Sequence, residues 1–115
     1  MIKMVVGLHR NAHVNVDLAA IKHNIAVELA RMDEQQELFA VVKANAYGHG
    51  IVPVAKAARQ AGATGFCVAL IDEGLVLREA GIAETILILG VTPAREATLM
   101  AKYDLSTAVG DLEFL

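Results

Sequence analysis

Cysteine is almost missing from this sequence, with Cys67 the only one among 115 residues. A single thiol excludes an internal disulfide framework and a thiolate metal site, and it suits a reducing compartment. Tryptophan is absent and aromatic residues reach only 4%, so the core has to be built from alanine and branched aliphatics. No apolar run approaches the roughly 20 residues needed to span a bilayer. The short patch in MIKMVVGLHRNA is interrupted by His9 and Arg10 before it could serve as the core of a signal peptide. Basic residues are few and scattered and the net charge is −3, which removes the electrostatic footprint of nucleic-acid or anionic-membrane binding. The histidines have no metal-ligand spacing. A soluble cytoplasmic chain with one modest domain is the expectation.

What is abundant is alanine, valine, leucine and isoleucine, in short runs separated by regular punctuation. Residues 13–17 alternate polar and apolar with the period of a half-buried strand. Asp17 then stands where a helix N-cap belongs, and Leu18, Ile21, Ile25, Leu29 and Met32 form one apolar helical face. Phe39 to Val42 reads as a buried strand. Pro53 falls in the first turn of the next helix, which Gly62 should end. Gly65 to Ile71 and Thr85 to Leu89 read as further buried strands, with a helix between them capped by Asp72 and stopped by Gly81. Thr92 and Pro93 make an N-cap and first-turn pair for a further helix. Leu105 to Val109 is a weaker strand, and residues 110–113 offer the start of another helix. From Phe39 onward, strands and helices alternate at the spacing of βαβ units with a parallel sheet. Periodicity alone leaves a doubly wound sheet and part of a (β/α)8 barrel both open.

Chemistry is concentrated in FAVVKANAYGHG, Phe39 to Gly50. A lysine at the end of a buried strand is costly to keep charged, and desolvation of that kind yields a nucleophilic amine able to condense with an aldehyde. A lysine can also snorkel out of a strand end with no chemical role. Tyr47 adds a phenol that both donates and accepts. Gly48 and Gly50 could let backbone amides approach a phosphate, since a helix begins just beyond, but two glycines fit a turn better; His49 fits a structural position, and Cys67 a filler in a buried strand. Asp72 and Glu73 read as a helix start rather than a paired-carboxylate site.

The run VVKANAYGHG, Val41 to Gly50, resembles the cofactor-lysine signature of bacterial alanine racemases, fold-type III pyridoxal phosphate enzymes. VNVDLAAIKHNI upstream and IDEGLVLREAGI and ILILG downstream resemble the same family in the same order. The resemblance implies the N-terminal part of a (β/α)8 TIM-type barrel, about four βα units over residues 18–115. It also implies that residues 1–17 form a strand segment that joins a β-rich domain found later in the family. Lys43 is then the residue that carries pyridoxal 5'-phosphate and acts as one of two bases at the substrate α-carbon. Tyr47 matches a ligand of the cofactor phosphate. Val41 and Leu89 match apolar positions lining the cofactor pocket, and plain core packing is a compatible role for both.

The implied activity is interconversion of L- and D-alanine, supplying D-alanine for peptidoglycan, in a cytoplasmic homodimer. Inverting a stereocentre needs a base on each face, and in the family the second is a tyrosine of the partner's β-rich domain. Tyr103 belongs to no matching motif. About four strands are present where a barrel needs eight, so a partial chain, inactive alone, is expected. The alternatives are a non-catalytic, self-associating α/β fragment, a racemase of serine or broader specificity, and a fold-type III decarboxylase.

Overall fold

The structure, a computed structural model, describes residues 9–115. The upstream half of the 1–17 segment, with its short apolar patch, lies outside the described residues. Residues 12–17 are irregular, with Val14 exposed. The strand expected at 13–17 is therefore not formed, because alternation makes a strand only where a neighbour supplies ladder hydrogen bonds, and no described segment does so.

Helix α1 spans Leu18–Leu29. Asp17 caps it, its Oδ1 accepting from the amides of Ala19 at 2.9 Å and Ala20 at 3.1 Å. The apolar stripe of α1 is half-buried and packs on α2, which spans Ile51–Ala61. Alanine makes that approach close: Ala55, Ala57 and Ala58 are buried. At the end of α2 the chain turns at Gly62, whose φ of 115° is open to glycine at little cost. A β-carbon there would meet Leu29 Cδ1 at 2.7 Å.

The sheet contains β1 (Phe39–Val41), β2 (Gly65–Val68), β3 (Thr85–Ile88) and β4 (Leu105–Thr107). All pairs are parallel and the strands lie in sequence order. Doubly wound sheets reverse strand order at a switch point; this one does not. Without a reversal the crossover helices stay on one face, as in a barrel. Burial agrees with that geometry. Ala40, Phe66, Ile86 and Leu105 share one register row, and Val42, Val68 and Ile88 continue the same face. Of these, all but Ala40 are buried and Ala40 is half-buried, with Leu77 of α3 (Ile71–Glu79) and Met100 of α4 (Ala97–Lys102) among the residues of the same core. On the opposite face Val41 and Leu89 are exposed.

Several boundaries differ from the sequence reading: β1 ends at Val41, β3 at Ile88 and β4 at Thr107, each short of the strand expected. β2 ends at Val68 because Ile71 already opens α3, and the N-cap is Leu70, with Asp72 inside the first turn. Glu73 performs the capping, its Oε2 accepting from the Leu70 amide at 3.1 Å. Pro93 itself occupies the cap position of a 3-10 turn, Ala94–Glu96, which runs into α4. Residues 110–113 bend without forming a helix.

Arg78 fastens the lower edge of the sheet. Its guanidinium donates to the carbonyls of Tyr103 at 2.9 Å, Ile82 at 2.8 Å, Glu84 at 2.7 Å and Asp104 at 2.7 Å. One side chain thus joins the entry to β3 with the entry to β4.

Candidate active site

Parallel βα units place functional groups at the C-terminal ends of strands and in the loops that follow. β1 stops at Val41, and the Val42 amide still donates to the Cys67 carbonyl at 2.9 Å. Lys43 is the next residue, half-buried. It is less enclosed than a strand end sealed on both sides, since the face carrying Val41 is open.

After Lys43 the backbone changes hand. Ala44, Asn45, Ala46 and Tyr47 have φ of 51°, 55°, 54° and 56°, and Gly48 follows at 89°. This is a left-handed helical turn over residues 44–47, four residues of which none is glycine. For L-residues each such conformation costs roughly 1–2 kcal/mol, so other contacts have to offset it. Ala46 buries its methyl group in the core and its amide donates to the Val42 carbonyl at 2.9 Å. Asn45 Oδ1 accepts from the Ile51 amide at 2.9 Å, and the Asn45 carbonyl accepts from Gly50 at 2.9 Å. Glu73 Oε1 accepts from Ala44 at 2.8 Å. Composition gave no sign of this turn, apart from Asn45, a residue that tolerates positive φ better than most.

These bonds decide what the loop can offer an anion. The Gly48 amide donates to the Ala44 and Asn45 carbonyls, His49 to Ala46, Gly50 to Asn45, and Ile51 to the Asn45 side chain. None of the four is free. The glycines therefore serve the turn, and His49 is structural as expected, its Nδ1 lying 3.0 Å from the Ala46 carbonyl. The Tyr47 side chain, on the same turn, is 61% exposed.

Val41 and Leu89 are 43% and 45% exposed. Val41 pairs with Cys67, which pairs with Leu87, so register sets Val41 and Leu87 on one face, and Leu89 follows two residues on. The Leu89 amide donates to the Val68 carbonyl at 2.8 Å, keeping the segment against β2. Both side chains thus stand on the uncovered face, two strand spacings across and two residues along, about 12 Å apart, rather than in the packed core. Cys67 lies between them, and burial pushes its thiol above the ordinary value of 9.0, which fits a filler and not a nucleophile.

Tyr103 is placed elsewhere. It follows α4 directly and lies two residues before the start of β4, at the N-terminal end of the sheet. Lys43 follows the C-terminal end of β1. The Tyr103 ring instead receives the Lys102 ammonium at 5.4 Å. Among the described residues no group of three or more His, Cys, Asp or Glu could hold a metal ion.

The site is thus that of a singly wound parallel α/β fold with a lysine amine and a phenol on one turn beside an open apolar face. Residues 16–115 match the alanine racemase N-terminal domain, and the chain belongs to that family. An alanine racemase of Ligilactobacillus salivarius is 65% identical over 112 residues, 97% of this chain and 30% of that protein. The crystal structure of alanine racemase from E. faecalis superimposes with a TM-score of 0.93 at 52% identity, covering 96% of this chain and 30% of that one. A histidine racemase from Leuconostoc mesenteroides aligns with a TM-score of 0.78 at 37% identity, over 84% of this chain and 26% of its own. The four-stranded sheet is part of a TIM-type barrel, and the chain spans about 30% of the length of the curated relatives it matches.

Proposed function

We propose that this chain supplies one wall of the active site of a pyridoxal-phosphate-dependent racemase that interconverts L- and D-alanine. The observation that carries the reading is the placement of Lys43: a half-buried amine directly beyond β1, on a chain of the alanine racemase family. The residues present fit the cofactor's chemistry. Lys43 would hold its aldehyde through the side-chain amine, Tyr47 would donate its hydroxyl to the phosphate, and Val41 and Leu89 would offer apolar surface beside the ring. The occupied amides of Gly48 to Ile51 support Tyr47 as the phosphate ligand of this segment. Bound there, the cofactor supplies an electron sink that lowers the cost of removing the α-proton. With its amine free, Lys43 would take or return that proton on its own face.

The opposite face needs its own base, and Tyr103 stands at the wrong end of the sheet to serve. That base belongs to the rest of the enzyme, as do most substrate contacts; in our reading the enzyme is a cytoplasmic homodimer supplying D-alanine for peptidoglycan. The segment 1–17 pairs there with a β-rich domain. Similarity to a histidine racemase as well as to alanine racemases means that alanine is favoured by the identity of the relatives rather than by a residue of this wall. A second reading, a self-associating α/β module without catalysis, is supported by the uncovered face carrying Val41 and Leu89.

The test is to add pyridoxal phosphate, reduce with borohydride and map the modified residue. Label at Lys43, lost in Lys43→Ala, is expected. A chain that takes up no label at Lys43, even with the remainder of the enzyme present, would remove the cofactor assignment.

A further inference from the structure

Glu73 joins two segments that helix capping alone would leave apart. Its Oε2 accepts from Ala69 at 2.6 Å and Leu70 at 3.1 Å, which caps α3. Its Oε1 accepts from Ala44 at 2.8 Å, 29 residues away and next to Lys43. Capping has no use for that third bond. It fixes the peptide plane between Lys43 and Ala44, and so the direction in which the left-handed turn leaves β1. A cleft of about 200 Å³ lined by Asn45, Ile51, Asp72, Glu73 and Val76 opens between the turn and α3, so packing is loose where the carboxylate makes its bridge. We propose that Glu73 is a positioning residue for Lys43: it anchors the strained turn to α3, keeping the amine and the Tyr47 hydroxyl at a constant separation. The consequence for the cofactor rests on the role proposed above for Lys43; the anchoring itself does not.

Glu73→Gln isolates the third bond. Glutamine keeps the size of the side chain, and its one carbonyl oxygen can hold the Ala69 and Leu70 amides, but its NH2 then faces the Ala44 N–H, donor against donor. Glu73→Asp keeps the charge and falls short by one methylene, so it should fail to rescue. Ile82→Val, in the core and remote from the turn, serves as a control for lost stability. Three quantities are read: hydrogen exchange at the Ala44 amide, the dissociation constant for pyridoxal phosphate, and the melting temperature. For Glu73→Gln and Glu73→Asp we expect Ala44 to exchange about tenfold faster and binding to weaken about tenfold, the scale of losing one hydrogen bond to a charged group. Ile82→Val should lower the melting temperature and leave both other readouts unchanged. Unchanged exchange at Ala44 overturns the proposal. So does unchanged binding with a freed turn, full rescue by aspartate, or equal weakening in Ile82→Val. If no label appears at Lys43 even with the remainder of the enzyme present, the proposed function fails, and the exchange ratio at Ala44 still decides whether Glu73 anchors the turn.

Discussion

Gly90 lies against the carbonyl of Ala69, so close that a β-carbon at position 90 would fall inside contact distance of that oxygen. The obstacle is backbone, held in place by its own neighbours: the Ala69 amide donates to Glu73 at 2.6 Å and Leu89 donates to Val68 at 2.8 Å. The loops after β2 and β3 are thereby brought together at the end of the sheet that carries Lys43. Gly90→Ala should destabilise the chain by about 1–3 kcal/mol, the usual range for overpacking. Denaturant midpoints at unchanged slope would measure it, and a midpoint equal to wild type would show that the loops can part freely.

Removing Arg78 should cost more than a surface arginine normally does. Four carbonyls lose a charged donor at once, and Arg78→Ala is expected to destabilise by roughly 2–4 kcal/mol, since such bonds are not additive. Arg78→Lys should recover little, because a single ammonium cannot reproduce the fork that reaches all four. Thermal or chemical unfolding of both variants distinguishes a fork from a simple positive charge.

The left-handed turn makes an opposite pair of outcomes available at one position. Ala44 is exposed with φ of 51°. Ala44→Gly relieves the steric cost and should raise stability by about 0.5–1 kcal/mol after the entropy of glycine is subtracted. Ala44→Val should lower it, since a branched β-carbon tolerates this conformation least. Equal stabilities across the series would mean that the turn is not left-handed in solution.

Burial of Cys67 gives the alkaline limb of the stability profile a definite sign. The folded chain holds the thiol proton more tightly than the unfolded chain, whose value is near 9.0. The contribution is intact below that value and is lost progressively as pH rises from it through the folded-state value. A Cys67→Ala variant should therefore show a shallower decline in unfolding free energy above pH 9 than the parent. Identical alkaline slopes would contradict the assignment.

How legible the chain was depended on how far away the determining contacts lie. Asp17 was found as a cap because its partners are two and three residues on, and Gly62 as a stop because glycine is the natural occupant of a left-handed terminus. The alternation of strand and helix from Phe39 onward indicated a parallel sheet but left its strand order open between a doubly wound sheet and a barrel; the family resemblance selected the barrel, and the order agrees with it. Asp72 was mistaken for a cap because two acidic residues stood together and only the fold shows Glu73 reaching back to Leu70. The turn after Lys43 was invisible for the same reason in stronger form. Ala44, Ala46 and Tyr47 have no local preference for positive φ, and one contact that holds them there comes from Glu73, far along the chain. Residues 13–17 alternate like a strand, yet alternation carries no information about where a pairing partner is to be found. For the candidate site, sequence pointed to Lys43 and Tyr47 on one loop; the occupation of the amides of Gly48 to Ile51, just beyond Tyr47, follows from the fold.

Sequential strand order also has a kinetic meaning. Each strand of the sheet docks on the one made just before it, β2 on β1, β3 on β2 and β4 on β3. Loop closure at every step spans one short helix and its turns, so the pairings within this four-stranded sheet are all between neighbours in sequence. During synthesis, which runs from the N-terminal end at about 5–20 residues per second, the sheet can grow in the direction of translation. Each emerging unit finds its template already in place, and Lys43, at the end of the first strand to form, is positioned early in that growth.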